Sequence, residues 1–71
     1  MSYELVKSWI DDQSSVTEDQ INEAIEAMFL LPPSGPNQNL LAALGYIQDP
    51  ETSDVETVSL LISKYEAQTW P

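Results

Sequence analysis

The 71-residue sequence has no cysteine, no histidine and no arginine, and these absences exclude most of the side-chain chemistry used by enzymes. Without cysteine there is neither a disulfide bond nor a thiolate nucleophile, and without histidine the usual general base at neutral pH is missing. The usual ligands of transition metals and the bidentate arginine clamp for phosphate are missing for the same reason. We therefore expect a protein that is not an enzyme, with no catalytic residue, no metal site and no cofactor.

Calcium can be bound by oxygen ligands alone, and two acidic stretches have the length of an EF-hand loop. Such a loop needs glycine at its sixth position and glutamate at its twelfth. Residues 11–22 have Val16 and Asn22 at those positions, and residues 49–60 have Asp54 and Leu60. The sequence therefore predicts no EF-hand.

Long apolar runs are also missing. No stretch approaches the roughly 20 apolar residues that cross a bilayer, and the first residues lack a basic region followed by an apolar one. We expect no signal peptide, no membrane contact and a cytoplasmic location. A chain of this length makes one domain, residues 1–71, with a small core, since it buries only about 60% of the surface that it exposes when unfolded.

Charge is the outlying property of the composition. Twelve Asp and Glu residues stand against two lysines, which gives a formal net charge of −10 at pH 7. Direct binding to nucleic acid and to anionic membranes is disfavoured, because both depend on Lys and Arg. A protein partner with a basic surface is favoured, since opposite charge accelerates association. The alternative is that the charge only keeps a small protein in solution.

The strongest helix prediction covers residues 17–31. Thr17 is placed as N-cap, Gln20 completes a capping box, and Val16 and Ile21 are spaced as a hydrophobic staple. The proline pair that begins at Pro32 predicts the end of this helix. One side carries apolar residues at helical spacing and another carries acidic ones. The apolar side comprises Ile21, Ala24, Ile25, Met28 and Phe29.

Three further helices are predicted by the same apolar spacing. They cover residues 2–11, then a segment capped by Ser34 or Asn37 that runs to Ile47, then residues 54–68 with a capping box from Ser53 and Glu56. Gly45 either allows close packing of a neighbour or frays the third helix early. No segment alternates as a strand. The fold class is all-α, a small bundle of three to four short amphipathic helices. The expected inner residues are Leu5, Val6, Trp9, Ile10, Leu40, Leu41, Leu44, Ile47, Val55, Val58, Leu61, Ile62 and Tyr65.

The carboxylates surround the starts of the second and fourth helices. Consecutive helices joined by short loops run antiparallel, so these two starts should share one end of the bundle. We expect Asp19, Glu23 and Glu26 to form the main partner contact and Asp54 and Glu56 to extend it. Such a surface can imitate phosphates or dock on a basic patch of a nucleic-acid-handling protein. The remaining alternative is a solvated face without a specific role.

Some large apolar residues have no evident place inside: Leu30, Leu60, Trp70 and either Trp9 or Tyr46. Leu60 is our candidate for an apolar contact. A patch around Leu60 and Tyr65 would define a different function, a small regulatory adaptor or a homodimer. A structural subunit of a larger assembly is a third class. Salt distinguishes binding through the acidic surface from binding through the apolar patch, because charge-led binding weakens with salt and apolar docking barely changes.

Two resemblances bear on function. In size and charge the chain resembles the small acidic proteins that phages use against host enzymes, anti-CRISPR proteins among them, which implies an inhibitor or nucleic-acid mimic. The run Asn39-Leu40-Leu41 with Leu44, preceded by Ile25, Met28 and Leu30, is similar to the central hairpin of small biofilm and acid-resistance regulators related to AriR. The basic pair expected before that second run is missing, since Asn37 and Gln38 stand there.

Overall fold

Four α-helices form where the apolar spacing predicts them, in a computed structural model that describes residues 2–69. They are α1 at Ser2–Asp11, α2 at Glu18–Phe29, α3 at Gly35–Gln48 and α4 at Val55–Thr69, with a 3-10 turn at Gln13–Ser15 between the first two. No strand occurs among the described residues. The radius of gyration is 11.1 Å, which matches the value of about 11 Å expected for a compact chain of this length. The predicted all-α class is confirmed.

The predicted caps of α2 and α3 are present. Thr17 Oγ1 accepts a hydrogen bond from the Gln20 amide at 3.2 Å, and Gln20 Oε1 accepts one from the Thr17 amide at 2.8 Å. α2 ends at Phe29, two residues earlier than expected, and Leu30 is its C-cap. Ser34 caps α3, since its hydroxyl accepts from the Asn37 amide at 3.1 Å. Local side-chain chemistry therefore fixes where both helices begin.

The start of α4 differs from the expectation. Asp54 takes the capping position, and its carboxylate accepts hydrogen bonds from the Thr57 amide at 3.1 Å and the Thr57 hydroxyl at 2.7 Å. Ser53 instead donates its hydroxyl proton to the Pro50 carbonyl at 3.3 Å, and Glu56 is exposed. The predicted Ser53–Glu56 capping box is therefore wrong. An ionised carboxylate is a stronger acceptor than a hydroxyl, which favours Asp54 over its neighbour.

Neighbouring helices run antiparallel, as contacts between their opposite ends demonstrate. Gln48 at the end of α3 donates to Asn22 near the start of α2 at 2.7 Å. Asn39 near the start of α3 donates to Gln68 near the end of α4 at 2.6 Å. The ring of Tyr3, at the start of α1, stacks on a tyrosine late in α4 with centroids 5.3 Å apart. α2 and α4 therefore point the same way.

The core centres on α3, which contacts each of the other three helices. Within residues 2–69 no Cα atom of α2 lies within 8 Å of α4, so these two helices occupy opposite flanks of the bundle. No polar or charged side chain among the described residues is buried. The buried apolar residues are Val6, Trp9, Ile21, Ala24, Met28, Leu40, Ala43, Leu44, Ile47, Val58 and Ile62.

Three expectations about helix faces are corrected. Phe29 is 71% exposed and Val55 is 37% exposed, so neither belongs to the core. Both lie at helix ends, Phe29 as the last residue of α2 and Val55 as the first residue of α4. Gly45 neither frays α3 nor admits a neighbour, because α3 continues to Gln48 and a Cβ atom at Gly45 would meet nothing within 4 Å.

Candidate binding surface

Three carboxylates follow one line on the outer face of α2. Asp19, Glu23 and Glu26 are exposed and are spaced four and three residues apart, the spacing that places side chains on one side of a helix. The opposite side is buried, as Ile21 and Met28 illustrate. Within the part of the chain that the structure describes, none of the three has an ion-pair or hydrogen-bond partner. We call these three residues the α2 acidic stripe.

The two lysines leave the α2 acidic stripe unneutralised. The Lys7 ammonium lies 3.9 Å from the Glu66 carboxylate on α4. Glu66 also accepts a hydrogen bond from the Tyr3 hydroxyl, and this bond raises the pKa of Tyr3. Lys64 is exposed on α4, the flank away from α2. Neither lysine therefore forms an ion pair with the α2 acidic stripe.

The acidic residues at the start of α4 are differently engaged. The hydrogen bonds from the Thr57 hydroxyl and amide lower the pKa of Asp54, so its carboxylate stays ionised further into acid. At the turn between α1 and α2, hydrogen bonds from the Ser14 hydroxyl and amide lower the pKa of Asp12 in the same way. Both carboxylates hold the local backbone and still carry charge. Glu56 is exposed beside Asp54.

The start of α2 and the loop before α4 share one end of the bundle, but the predicted acidic residues divide between two flanks. A cavity of about 270 Å³ at this end is lined by Thr17 and Glu18 from the start of α2 and by Pro50 from the loop before α4. The loop therefore meets the start of α2, as the antiparallel arrangement predicts. Because α2 and α4 are not in contact, however, Asp54 and Glu56 do not extend the α2 acidic stripe.

Leu60 lies on the surface, 65% exposed, beside a shallow depression shared with Glu56 and Ser63 on the outer side of α4. Tyr65 does not join it, because its ring is half-buried against Tyr3 in the contact between α1 and α4. The expected patch around Leu60 and Tyr65 is therefore not formed. The two residues are five positions apart, which separates them by about 140° around a helix of 3.6 residues per turn.

Three consecutive apolar residues are exposed at the other end of α2. Phe29, Leu30 and Leu31 are 71%, 87% and 48% exposed. Beside them is a cavity of about 330 Å³ between the end of α2 and the start of α3. We call this cavity the apolar groove; its walls include Met28, Phe29, Leu31, Pro32, Pro33 and Leu41. Of the three exposed residues only Leu30 is expected from sequence to lack a place inside.

The other large apolar residues that have no evident place inside by sequence differ in their exposure. Trp9 is buried in the core, and Tyr46 is 39% exposed. Trp70 lies outside the described residues. No group of acidic residues between positions 2 and 69 is arranged to hold a metal ion. None of the described helices has the length and hydrophobicity needed to cross a membrane.

Comparisons of the chain with known protein families, with curated proteins and with solved structures found no match.

Proposed function

We propose that this chain is a non-enzymatic binding protein that docks on a basic surface of a partner protein through the α2 acidic stripe. The observation that carries the proposal is the alignment of Asp19, Glu23 and Glu26 on one exposed helix face, with no ion-pair partner among residues 2–69. The absence of histidine, cysteine and arginine supports a binding role over catalysis. The net charge of −10 adds long-range attraction to any cationic surface.

Basic surfaces are common on proteins that handle nucleic acids, because such proteins bind phosphates through Lys and Arg. Blocking a surface of this kind is the activity of a phage-type inhibitor, and the size and charge of this chain fit that class. The stripe places three charges within about 10 Å of helix axis, whereas one strand of B-DNA carries a charge every 3.4 Å or so. This lower density favours docking on a basic patch over imitation of the phosphate backbone.

Affinity capture from a lysate of the source organism, followed by mass spectrometry, tests the proposal with a charge-matched pair of variants. E23K/E26K alters the α2 acidic stripe, and E51K/E56K makes the same change near the start of α4. Each double variant carries −6 in place of −10, so the long-range charge is equal in the two proteins. We expect E23K/E26K to lose the partner captured by the wild type and E51K/E56K to keep most of it.

The association rate measured on the captured partner refines this test. We expect E23K/E26K to slow association about tenfold or more at low salt, because electrostatic steering contributes roughly 10- to 1000-fold to such rates. The same partner should bind more weakly at moderate salt, where the Debye length falls from about 30 Å at 0.01 M to about 10 Å at 0.1 M. Equal losses in both variants would assign the effect to net charge, and no loss in E23K/E26K would refute the proposal.

A second candidate function is favoured by the exposure of Leu60. A leucine that is 65% exposed on the outer side of α4 can seat a partner or a second copy of the chain, as an adaptor or homodimer would require. Salt would then have little effect on binding, and L60S would abolish it. The absence of Tyr65 from this surface leaves a small patch, which is why we place the charge-led function first.

A further inference from the structure

The outer face of α4 carries a projecting leucine beside a hollow. Leu60 is 65% exposed, and next to it lies a cavity of about 380 Å³. We call this cavity the α4 depression; it is lined by Val55, Glu56, Ser59, Leu60 and Ser63. Because serine side chains are short, the surface falls away on that side of Leu60. A projection and a hollow on one helix allow its face to be complementary to itself.

Two opposite charges flank Leu60 along the helix. Glu56 precedes it by four residues and Lys64 follows it by four, so the three side chains form one ridge with steps of about 6 Å. Glu56 and Lys64 are both exposed, and neither has an ion-pair partner among residues 2–69. The ridge therefore presents a negative, an apolar and a positive group in that order.

This order is complementary to its own reverse. When two α4 helices cross antiparallel with a two-fold axis beside Leu60, Glu56 of each copy faces Lys64 of the other. Ridges of this type pack alongside each other at a crossing angle of about 50°. Each Leu60 then enters the α4 depression of the other copy. Asp54 and Glu66, six residues from Leu60 on either side, are turned about 120° away from the contact.

We propose that two copies of the chain associate through α4 in this antiparallel register, with leucine against leucine at the centre and an ion pair on each side. The proposal does not depend on the α2 acidic stripe. It rests on the second candidate function, for which it names the occupant and the register. Because α2 and α4 lie on opposite flanks, both α2 acidic stripes stay accessible in the dimer.

The two charges select a second copy over other helical partners. A cationic helix laid on this ridge meets Lys64 and an acidic one meets Glu56, so each is repelled at one end. The favoured ligand carries an acidic, an apolar and a basic residue at steps of four and runs in the opposite direction. α4 itself meets this description through Glu56, Leu60 and Lys64.

The net charge of −10 on each copy opposes association, but the arrangement limits this repulsion. The α2 acidic stripes lie on the far flanks of the two copies, and exposed charges farther apart than a Debye length, about 10 Å at 0.1 M salt, are largely screened. The pairs at the contact are closer and keep more of their attraction. A contact between single helices is also smaller than the roughly 1,200–2,000 Å² of a stable interface. We therefore expect a weak dimer that forms at moderate salt and high protein concentration.

Sedimentation velocity over a concentration series of the full chain, up to about 1 mM, measures this dimer. L60S should weaken dimerisation about tenfold or more, because the symmetry removes two leucines from the contact at once. L30S makes the same chemical change at a leucine that is 87% exposed just after α2, and it should leave the dimer intact. Circular dichroism checks that both variants remain helical.

Charge reversal tests the antiparallel register. E56K and K64E each place like charges opposite each other at two symmetry-related positions, so each should weaken the dimer about tenfold or more. E56K/K64E keeps the net charge of −10 and restores both pairs with exchanged signs, so it should dimerise as the wild type does. A mixture of E56K and K64E should form a heterodimer, because every charge then faces its opposite.

The outcomes distinguish this contact from the alternatives. E56K has a net charge of −8 in place of −10, so if net repulsion alone governs association it dimerises more tightly than the wild type, and the inference is overturned. A dimer that neither charge variant affects overturns it as well, as does a chain that stays monomeric up to about 1 mM. If that monomer binds a captured partner that L60S loses, the adaptor form of the second candidate function still stands. E23K/E26K should dimerise at least as well as the wild type, so failure of the dimer leaves the α2 acidic stripe function in place.

Discussion

Two leucines in opposite environments give the sharpest test of the fold on which the surface assignment depends. Leu44 is 0% exposed at the centre of the core on α3, whereas Leu60 is 65% exposed on α4. Replacing a fully buried leucine with alanine costs about 2–5 kcal/mol, because the transfer energy of the removed atoms is lost and a cavity remains. A chain of this length has a total stability of roughly 4–10 kcal/mol, estimated at about 0.05–0.15 kcal/mol per residue. Leu44→Ala should therefore remove a large part of the free energy of unfolding.

Urea unfolding followed by circular dichroism measures this loss, and Leu60→Ala is the matched control. Both substitutions make the same chemical change within a helix, so helix propensity contributes equally to each. We expect Leu60→Ala to lie within about 0.5 kcal/mol of the wild type. In thermal unfolding, Leu44→Ala should lower Tm by about 10 °C or more, since each kcal/mol is worth roughly 4–8 °C in a small domain. Equal effects of the two substitutions would refute the assignment of α3 as the central helix.

Two further predictions concern α3 and the start of α4. Gly45→Ala should raise the free energy of unfolding in urea by about 0.5–1 kcal/mol, because Gly45 has no positive φ and an added Cβ meets nothing within 4 Å; a loss of stability would contradict its open, helical placement. Asp54→Asn should lose stability at neutral pH, because the lowered pKa of Asp54 means that its ionised form stabilises the fold. This stabilisation is fully present above pH 3.8, the ordinary pKa of aspartate, and is lost as the pH falls below that value. The free energies of unfolding of the two proteins, measured across this range, should therefore converge in acid. A difference that stays constant with pH would contradict the role of the charge.

The parts of the fold that could be predicted from sequence are those that depend on local chemistry. Thr17 with Gln20 predicts the start of α2 correctly, and Ser34, one of the two predicted caps of α3, is the cap in the structure. At α4 the predicted cap is Ser53, one residue before the Asp54 that caps the helix in the structure. A sequence pattern of this kind locates the end of a helix only to within one or two residues. The structure selects Asp54 through its bonds to Thr57.

The exposed apolar residues depend on tertiary contacts that periodicity does not report. Phe29 falls on the inner half of α2 by spacing, yet it is exposed in the last turn, beside the open cavity between α2 and the start of α3. Whether a residue in the last turn of a helix is buried depends on the lengths and offsets of its neighbours. The separation of Leu60 from Tyr65 could have been predicted, because five residues place two side chains on different faces of a helix. The separation of Asp54 and Glu56 from the α2 acidic stripe required knowing that α2 and α4 lie on opposite flanks.

The comparison of α2 with α4 explains why a cationic partner should favour one flank. On α4, the acidic residue Glu56 is followed four residues later by the apolar residue Leu60. Four residues further on is Lys64, which is exposed and would repel a cationic helix laid along that face. On α2 the acidic residues are three in number, and no lysine follows them on that helix. Attraction of a cationic partner is therefore unopposed along α2, whereas on α4 the single attraction is opposed within one turn.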